Sequence, residues 1–291
     1  MQAESVIFDR AATIEKLAAL TREAAAGGAR IVLFPETFVP VYPSARWVHR
    51  LALRAYGTQL WARLARESVE VPSAAADAIA AVARECGVFL AVGVNELERG
   101  TIYNSLLVYD PQGTLVLHHR KLVPTNHERL VWGQGDGRGL RAVATGFGRL
   151  GGLICWENYM PLARFALYES GVEIYLASTA DDGDAWQATL VHIARESRAF
   201  VVAPCHFQRA SAYPDDFALR ELIDGVDTIG RGGSAILAPD GSYLAGPLYD
   251  AEGILYAELD PARVLEERQR FDAVGHYSRP DVLGLTLNVP D

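Results

Sequence analysis

Two segments limit the possible folds of this chain more than any other feature. Residues 105–117 read SLLVYDPQGTLVL, and residues 234–246 read SAILAPDGSYLAG. Each is an apolar run, a turn containing glycine, and a second apolar run, the signature of a β-hairpin. Pro111-Gln112-Gly113 forms the first turn and Pro239-Asp240-Gly241 the second. The same device used twice, over 100 residues apart, implies a chain built from two similar halves.

The segments before each hairpin support that reading. Residues 10–26 have helical periodicity, with Ile14, Leu17 and Leu20 among alanines, and Gly27 and Gly28 end the helix. Residues 29–34 are then a buried strand, ending at Pro35 and Glu36. A second helix over 74–85 stops near Gly87, a strand follows at 88–95, and the first hairpin takes 104–110 and 114–119. In the second half, strand 149–155 leads to a helix at about 160–170 and a strand at 173–177. A helix at about 184–198 and a strand at 200–203 complete it. Strands alternating with helices, with hairpins interspersed, imply α/β layers with mixed sheets. No boundary separates the halves, so one domain over 1–291 with internal pseudo-two-fold symmetry is expected.

Half of the 291 residues are hydrophobic, enough for a large core, and the formal net charge of −9 excludes a broad basic nucleic-acid footprint. Three cysteines, Cys86, Cys155 and Cys205, argue against a disulfide framework and for a reducing compartment. No apolar signal segment begins the sequence, and no uncharged run approaches the ~18 residues of a membrane span. A cytoplasmic protein without membrane or nucleic-acid partners is expected.

Three reactive residues each follow an apolar run: Glu36 after IVLFP, Lys121 after TLVLHHR, and Cys155 after GGLI. Strand ends in α/β proteins are where ligand sites gather. A carboxylate, an ammonium and a thiol converging there supply a base, a charge stabiliser and a nucleophile. Residues 151–164 read as strand, cysteine, turn and helix, which sets the thiol beside a helix start. That position and a nearby Lys121 favour the thiolate, burial opposes ionisation, and the sequence does not decide between them. Taken singly, each residue has an ordinary structural explanation: a small buried thiol, a cap, a solvated lysine. Cys86 and Cys205 read as structural. No His/Cys cluster with metal-ligand spacing is present, so no metal is expected.

Together these segments resemble the nitrilase (carbon–nitrogen hydrolase) superfamily, specifically its true nitrilase branch. Phe34-Pro35-Glu36-Thr37-Phe38 is similar to its glutamate motif, Arg120-Lys121-Leu122-Val123-Pro124-Thr125 to its lysine motif, and residues 151–164 to its cysteine motif. Residues 128–136 are nitrilase-like as well, and the likeness runs from Gln2 to about Asn288. The resemblance implies a four-layer α-β-β-α sandwich with two mixed sheets, and self-association as a dimer or a larger spiral. It implies hydrolysis of a small-molecule nitrile by water to a carboxylic acid and ammonia, with no cofactor. In that scheme Cys155 is the nucleophile and Glu36 the base. Lys121 and the backbone N–H of Trp156 stabilise developing charge, and Glu128 positions Lys121. Tyr42, His127, Trp132 and Trp156 flank the motifs and are the candidate pocket residues, with Trp186 and Phe207 as further candidates.

Two departures stand out. The family's first strand normally precedes the position of Gln2 and Ala3, so that strand is expected to be truncated, exposing a sheet edge. Many relatives have Pro-Gly-Tyr-Pro where this chain has Pro40-Val41-Tyr42-Pro43, which restricts the loop beside Tyr42. A C-terminal extension is expected from about 262. Rival readings are an amidase or carbamoylase using the same residues, against which Cys155-Trp156-Glu157-Asn158 argues, and a cyanide hydrolase, whose relatives tend to carry His in place of Asn158. A non-catalytic scaffold is at odds with retention of all four polar residues, and a thiol protease lacks a recognisable histidine motif.

Overall fold

The computed structural model describes residues 1–289. In its first half, α1 (Arg10–Ala26) begins where the Asp9 carboxylate accepts from Ala12 N and ends at Gly27. β1 (Ile31–Leu33) and α2 (Arg54–Glu67) follow. α3 (Ala74–Cys86) is capped by the Ser73 hydroxyl on Ala76 N and closed by Gly87 in the left-handed region. β2 (Phe89–Glu98), β3 (Thr101–Tyr109) and β4 (Leu115–Arg120) form a meander. The sheet order is β1-β2-β3-β4, with β1 parallel to β2 and the other pairs antiparallel.

The second half contains β5 (Val143–Ala144), β6 (Arg149–Gly152), α4 (Pro161–Glu169), β7 (Ile174–Leu176) and α5 (Asp184–Ser197). It continues with β8 (Phe200–Ala203), β9 (Phe207–Arg209), β10 (Thr228–Leu237), β11 (Tyr243–Tyr249) and α6 (Ala262–Arg270). Its sheet runs β11-β10-β8-β7-β6-β5, with β6, β7 and β8 parallel and the outer pairs antiparallel; β9 pairs with β10. Both sheets are therefore mixed, as expected.

Alternation along the strands produces the layers. On β3, Leu106 and Val108 face one way and Leu107 and Tyr109 the other. Leu107 joins Leu90, Val92, Leu17 and Ile79 in a core between the first sheet and α1 and α3. Leu106 and Val108 join Leu117, Leu150, Ile174 and Leu176 in a core between the two sheets. Leu153, Tyr175 and Val201 pack on Leu167, Leu190 and Ile193 beneath α4 and α5. Three stacked cores make the α-β-β-α sandwich. The two hairpins correspond turn by turn: Gly113 N donates to Asp110 O at 2.8 Å, and Gly241 N donates to Ala238 O at 2.9 Å. Gly113 and Gly241 supply the φ near +80° to +90° that each turn requires.

Several elements differ from the sequence reading. β6 ends at Gly152, so Cys155 opens a short 3-10 turn, Cys155–Tyr159, instead of ending a strand. The first hairpin is half of a three-strand meander, because β2 turns directly into β3. α2 and β9 were not foreseen. β1 lies at the edge of its sheet, beside a groove of about 780 Å³ bordered by residues 254–260, and the Met1 amine donates to Leu33 O. The C-terminal segment begins as α6, held by an Arg198–Glu267 ion pair at 2.9 Å. Among the described residues no helix is long and apolar enough to cross a membrane.

Candidate active site

Each of the three chemical residues sits where a strand stops. Glu36 follows β1 in a turn laid directly over β2. A Cβ at Gly93 would come within 2.3 Å of Pro35 O and 2.4 Å of Thr37 N, so only glycine admits that turn. Lys121 follows β4 and is fixed by its N–H on Asn104 O at 2.8 Å. Cys155 follows β6, with its N–H on Ser178 O at 2.8 Å and its carbonyl held by Asn158 Nδ2 at 2.8 Å. Three non-glycine residues at these loops take positive φ: Thr37 (+42°), Asn126 (+40°) and Cys155 (+52°). Such backbone costs about 1–3 kcal/mol per residue and persists only where surroundings enforce it. Here hydrogen bonds and strand ends enforce it beside each functional side chain.

The side chains converge in a buried ionic cluster. Lys121 Nζ lies 2.9 Å from Glu36 Oε1 and 2.7 Å from Glu128 Oε2, and all three side chains are at most 1% exposed. Glu36 also accepts from Asn104 Nδ2 at 2.7 Å and from Ala180 N at 2.9 Å. Glu128, on the turn Asn126–Leu130, also accepts from Tyr42 Oη and Thr125 N. Burial opposes the charge on Lys121, but Glu36 foremost, then Cys155 and Glu128, outweigh it and raise its pKa. Burial and then Glu36 raise Glu128. Two carboxylates against one ammonium leave excess negative charge in a site of low dielectric.

Burial and the nearby carboxylates together act on the thiol. Burial first, then Glu36, push Cys155 above the ordinary thiol range; Lys121 and the Thr179 hydroxyl, 3.1 Å from Sγ, act the other way and do not prevail. Between the helix start and burial, which the sequence alone left undecided, burial prevails. The protonated thiol is the favoured form.

Cys155 opens on a cavity of about 450 Å³ whose wall includes Tyr42, His127, Glu128, Trp156, His206 and Tyr213. Tyr42, His127 and Trp156 thus line the cavity. Burial lowers the His127 pKa. Trp156 is half-exposed and donates through Nε1 to Asp181 Oδ2 at 2.6 Å. Trp132 is not on the wall. It lies behind Tyr42 at 5.9 Å between ring centroids, donates to Asn95 Oδ1, and presents its face to Lys121 Nζ at 5.6 Å. Trp186 is buried beneath Tyr159, and Phe207 borders a separate surface groove. Adjacency in sequence to a motif did not make Trp132 part of the wall.

The sequence reading missed Asn104 and Thr179, which contact Glu36 and Cys155 from β3 and from the loop after β7. It also missed His206, whose Nε2 donates to Glu36 O and which burial pushes down to about 4. Asn104 begins the hairpin segment that was read, but nothing local marks it as a partner of Glu36.

The sequence and the fold have known counterparts. Residues 1–269 match the carbon–nitrogen hydrolase family model. The chain is similar to the aliphatic nitrilase of Sinorhizobium fredii, with 43% identity over 99% of this chain and 94% of that protein. It is also similar to nitrilase 1 of Arabidopsis thaliana, with 40% identity over 99% and 85%. The crystal structure of a CN-hydrolase superfamily protein from Xanthomonas campestris superposes with a TM-score of 0.73 at 20% identity, over 99% and 97% of the two chains, and so shares the fold. The chain belongs to the carbon–nitrogen hydrolase family.

Proposed function

We propose that this protein is a nitrilase that converts an organic nitrile and water to a carboxylic acid and ammonia. The observation that carries the chemistry is the buried Glu36–Lys121–Glu128 cluster beside a cavity that opens on Cys155. The near full-length similarity to proteins named nitrilases supports a nitrile as the substrate.

In this reading Sγ of Cys155 attacks the nitrile carbon as Glu36 takes its proton and passes it to the nitrile nitrogen. The C≡N bond becomes C=NH in a covalent thioimidate, and Glu36 is a carboxylate again. Lys121 stabilises charge developing on the substrate, because its Nζ is held between two carboxylates and cannot move to solvent. The first bond of the cysteine turn is Glu157 N on Ile154 O, which leaves the Trp156 amide outside it as a second donor. Water then adds, ammonia leaves, and a thioester remains. A second water, activated by Glu36, releases the acid and returns the proton to sulfur. Glu128 holds Lys121 in place. A cavity of this size edged by Tyr42, Trp156 and Tyr213 suits a nitrile with a flat or apolar substituent.

The same reading includes a cytoplasmic protein that self-associates as a dimer or larger spiral; exposed Tyr159 and Leu162 around the start of α4 are consistent with an associating face. Sedimentation velocity tests that part. The chemistry is tested by quenching turnover with acid and mapping peptides. An acyl adduct confined to the Cys155 peptide is expected, and turnover with an adduct elsewhere overturns the scheme.

A further inference from the structure

Glu157 has no place on the cavity wall, yet its carboxylate is shared between the two loops that carry the chemistry. Oε1 accepts from Leu122 N at 2.8 Å; Oε2 accepts from Ile154 N at 2.9 Å and from His119 Nε2 at 2.8 Å. Leu122 directly follows Lys121, and Ile154 directly precedes Cys155. The side chains of Glu157 and His119 are both 0% exposed. The other backbone anchors of these loops stay within their own halves. Lys121 N is on Asn104 O and Gly135 N on Lys121 O, while Cys155 N is on Ser178 O. Glu157 is therefore a bridge from the end of β4 in one sheet to the end of β6 in the other. Its anionic form, favoured against burial by His119 and the two amides, makes these strong charge-assisted bonds.

We propose that Glu157 is a positioning residue, oriented by His119, that sets the spacing between the Lys121 ammonium and the Cys155 thiol. The proposal rests on the roles given above to Lys121 and Cys155. Two reacting groups on different sheets need a common reference, because a misplacement of about 1 Å costs about 100-fold in rate. A carboxylate supplies that reference, since it can accept from both loops and the imidazole at once. An amide cannot, because its NH₂ faces a donor.

The test compares Glu157→Gln, His119→Gln and His119→Leu with the wild type. It measures kcat and KM on a nitrile that the wild type hydrolyses, circular dichroism, and the alkylation rate of each cysteine by iodoacetamide. Glu157→Gln is expected to lower kcat about 30- to 100-fold with KM within about twofold. Its Cys155 alkylation rate is expected to change several-fold while that of Cys86, remote from the cluster, does not. His119→Gln keeps a donor near the position of Nε2 and is expected to stay within about threefold of wild-type kcat. His119→Leu, without a donor, is expected to lose about tenfold. A folded Glu157→Gln protein with kcat within twofold of wild type overturns the proposal, as does a loss confined to KM. If Glu157→Gln does not fold, equal impairment of His119→Gln and His119→Leu overturns it. Failure of the underlying reading is separate: the wild type itself would then hydrolyse no nitrile, and the alkylation rates would still test the bridge.

Discussion

Replacing Lys121 with Met removes the cation from between two carboxylates while keeping most of its apolar stem. In the native protein the ammonium lies 2.9 and 2.7 Å from Glu36 and Glu128, and none of the three side chains is more than 1% exposed. Breaking a buried ion pair on one side costs about 3–5 kcal/mol, because the remaining charge keeps its desolvation without its partner. Proton uptake relieves part of this cost, and Glu128, already raised by burial and Glu36, is the group expected to take the proton. A net loss of about 3 kcal/mol follows, or about 5 °C in Tm for a chain of this size. Activity falls further. Loss of one charge-stabilising donor costs about 10²–10³ in kcat, and the proton-accepting carboxylate loses its held geometry as well. The expected loss is at least ~10³-fold, about 4 kcal/mol of transition-state stabilisation. Ammonia release and differential scanning calorimetry give the two numbers. A Lys121→Met protein within tenfold of wild-type kcat and with unchanged Tm refutes the argument that the buried ammonium serves both roles.

Three further outcomes follow from the geometry. Gly93→Ala drives a methyl into Pro35 O and Thr37 N, so it should displace Glu36, cost about 1–3 kcal/mol and lower kcat; calorimetry and turnover check it. His206 has a folded pKa lowered from 6.5 to about 4, so its contribution is fully present above pH 6.5 and is lost as pH falls through about 4. The expected loss is about 3 kcal/mol in urea titrations across that window, and His206→Gln, which keeps a donor but does not titrate, should show a shallower slope. Trp156→Ala removes an aromatic edge of the cavity and should shift preference among nitriles; unchanged KM and preference across a panel would remove Trp156 from substrate recognition.

Legibility in the sequence followed the range of the interactions. α1 and α3 were readable because their stops are local: Gly27 ends the first, and Gly87 in the left-handed region ends the second. α2 was not, although Leu60, Leu64 and Ala65 form a buried stripe; Gly57 interrupts its helical pattern and is explained only by the close approach of Leu51 O. Glu36, Lys121 and Cys155 were visible because each ends an apolar run. Their partners Asn104, Thr179 and His206 were not, because sheet register and loop packing bring them together across tens of residues. The thiol's pKa was illegible for a related reason. A local motif suggests a favourable helix start, whereas the direction is set by burial and by carboxylates from distant segments. Trp132 shows the converse: it is next to the motifs in sequence, yet it turns inward to bond Asn95.

The most direct test of the account is product analysis on a small nitrile panel with the wild type and Cys155→Ala. Ammonia, carboxylic acid and amide are quantified together. Ammonia and acid in equal amounts are expected from the wild type, and neither from a folded Cys155→Ala protein. Turnover that survives in the variant would contradict covalent catalysis at Cys155. Hydrolysis of amides with no turnover of any nitrile would contradict the assigned substrate.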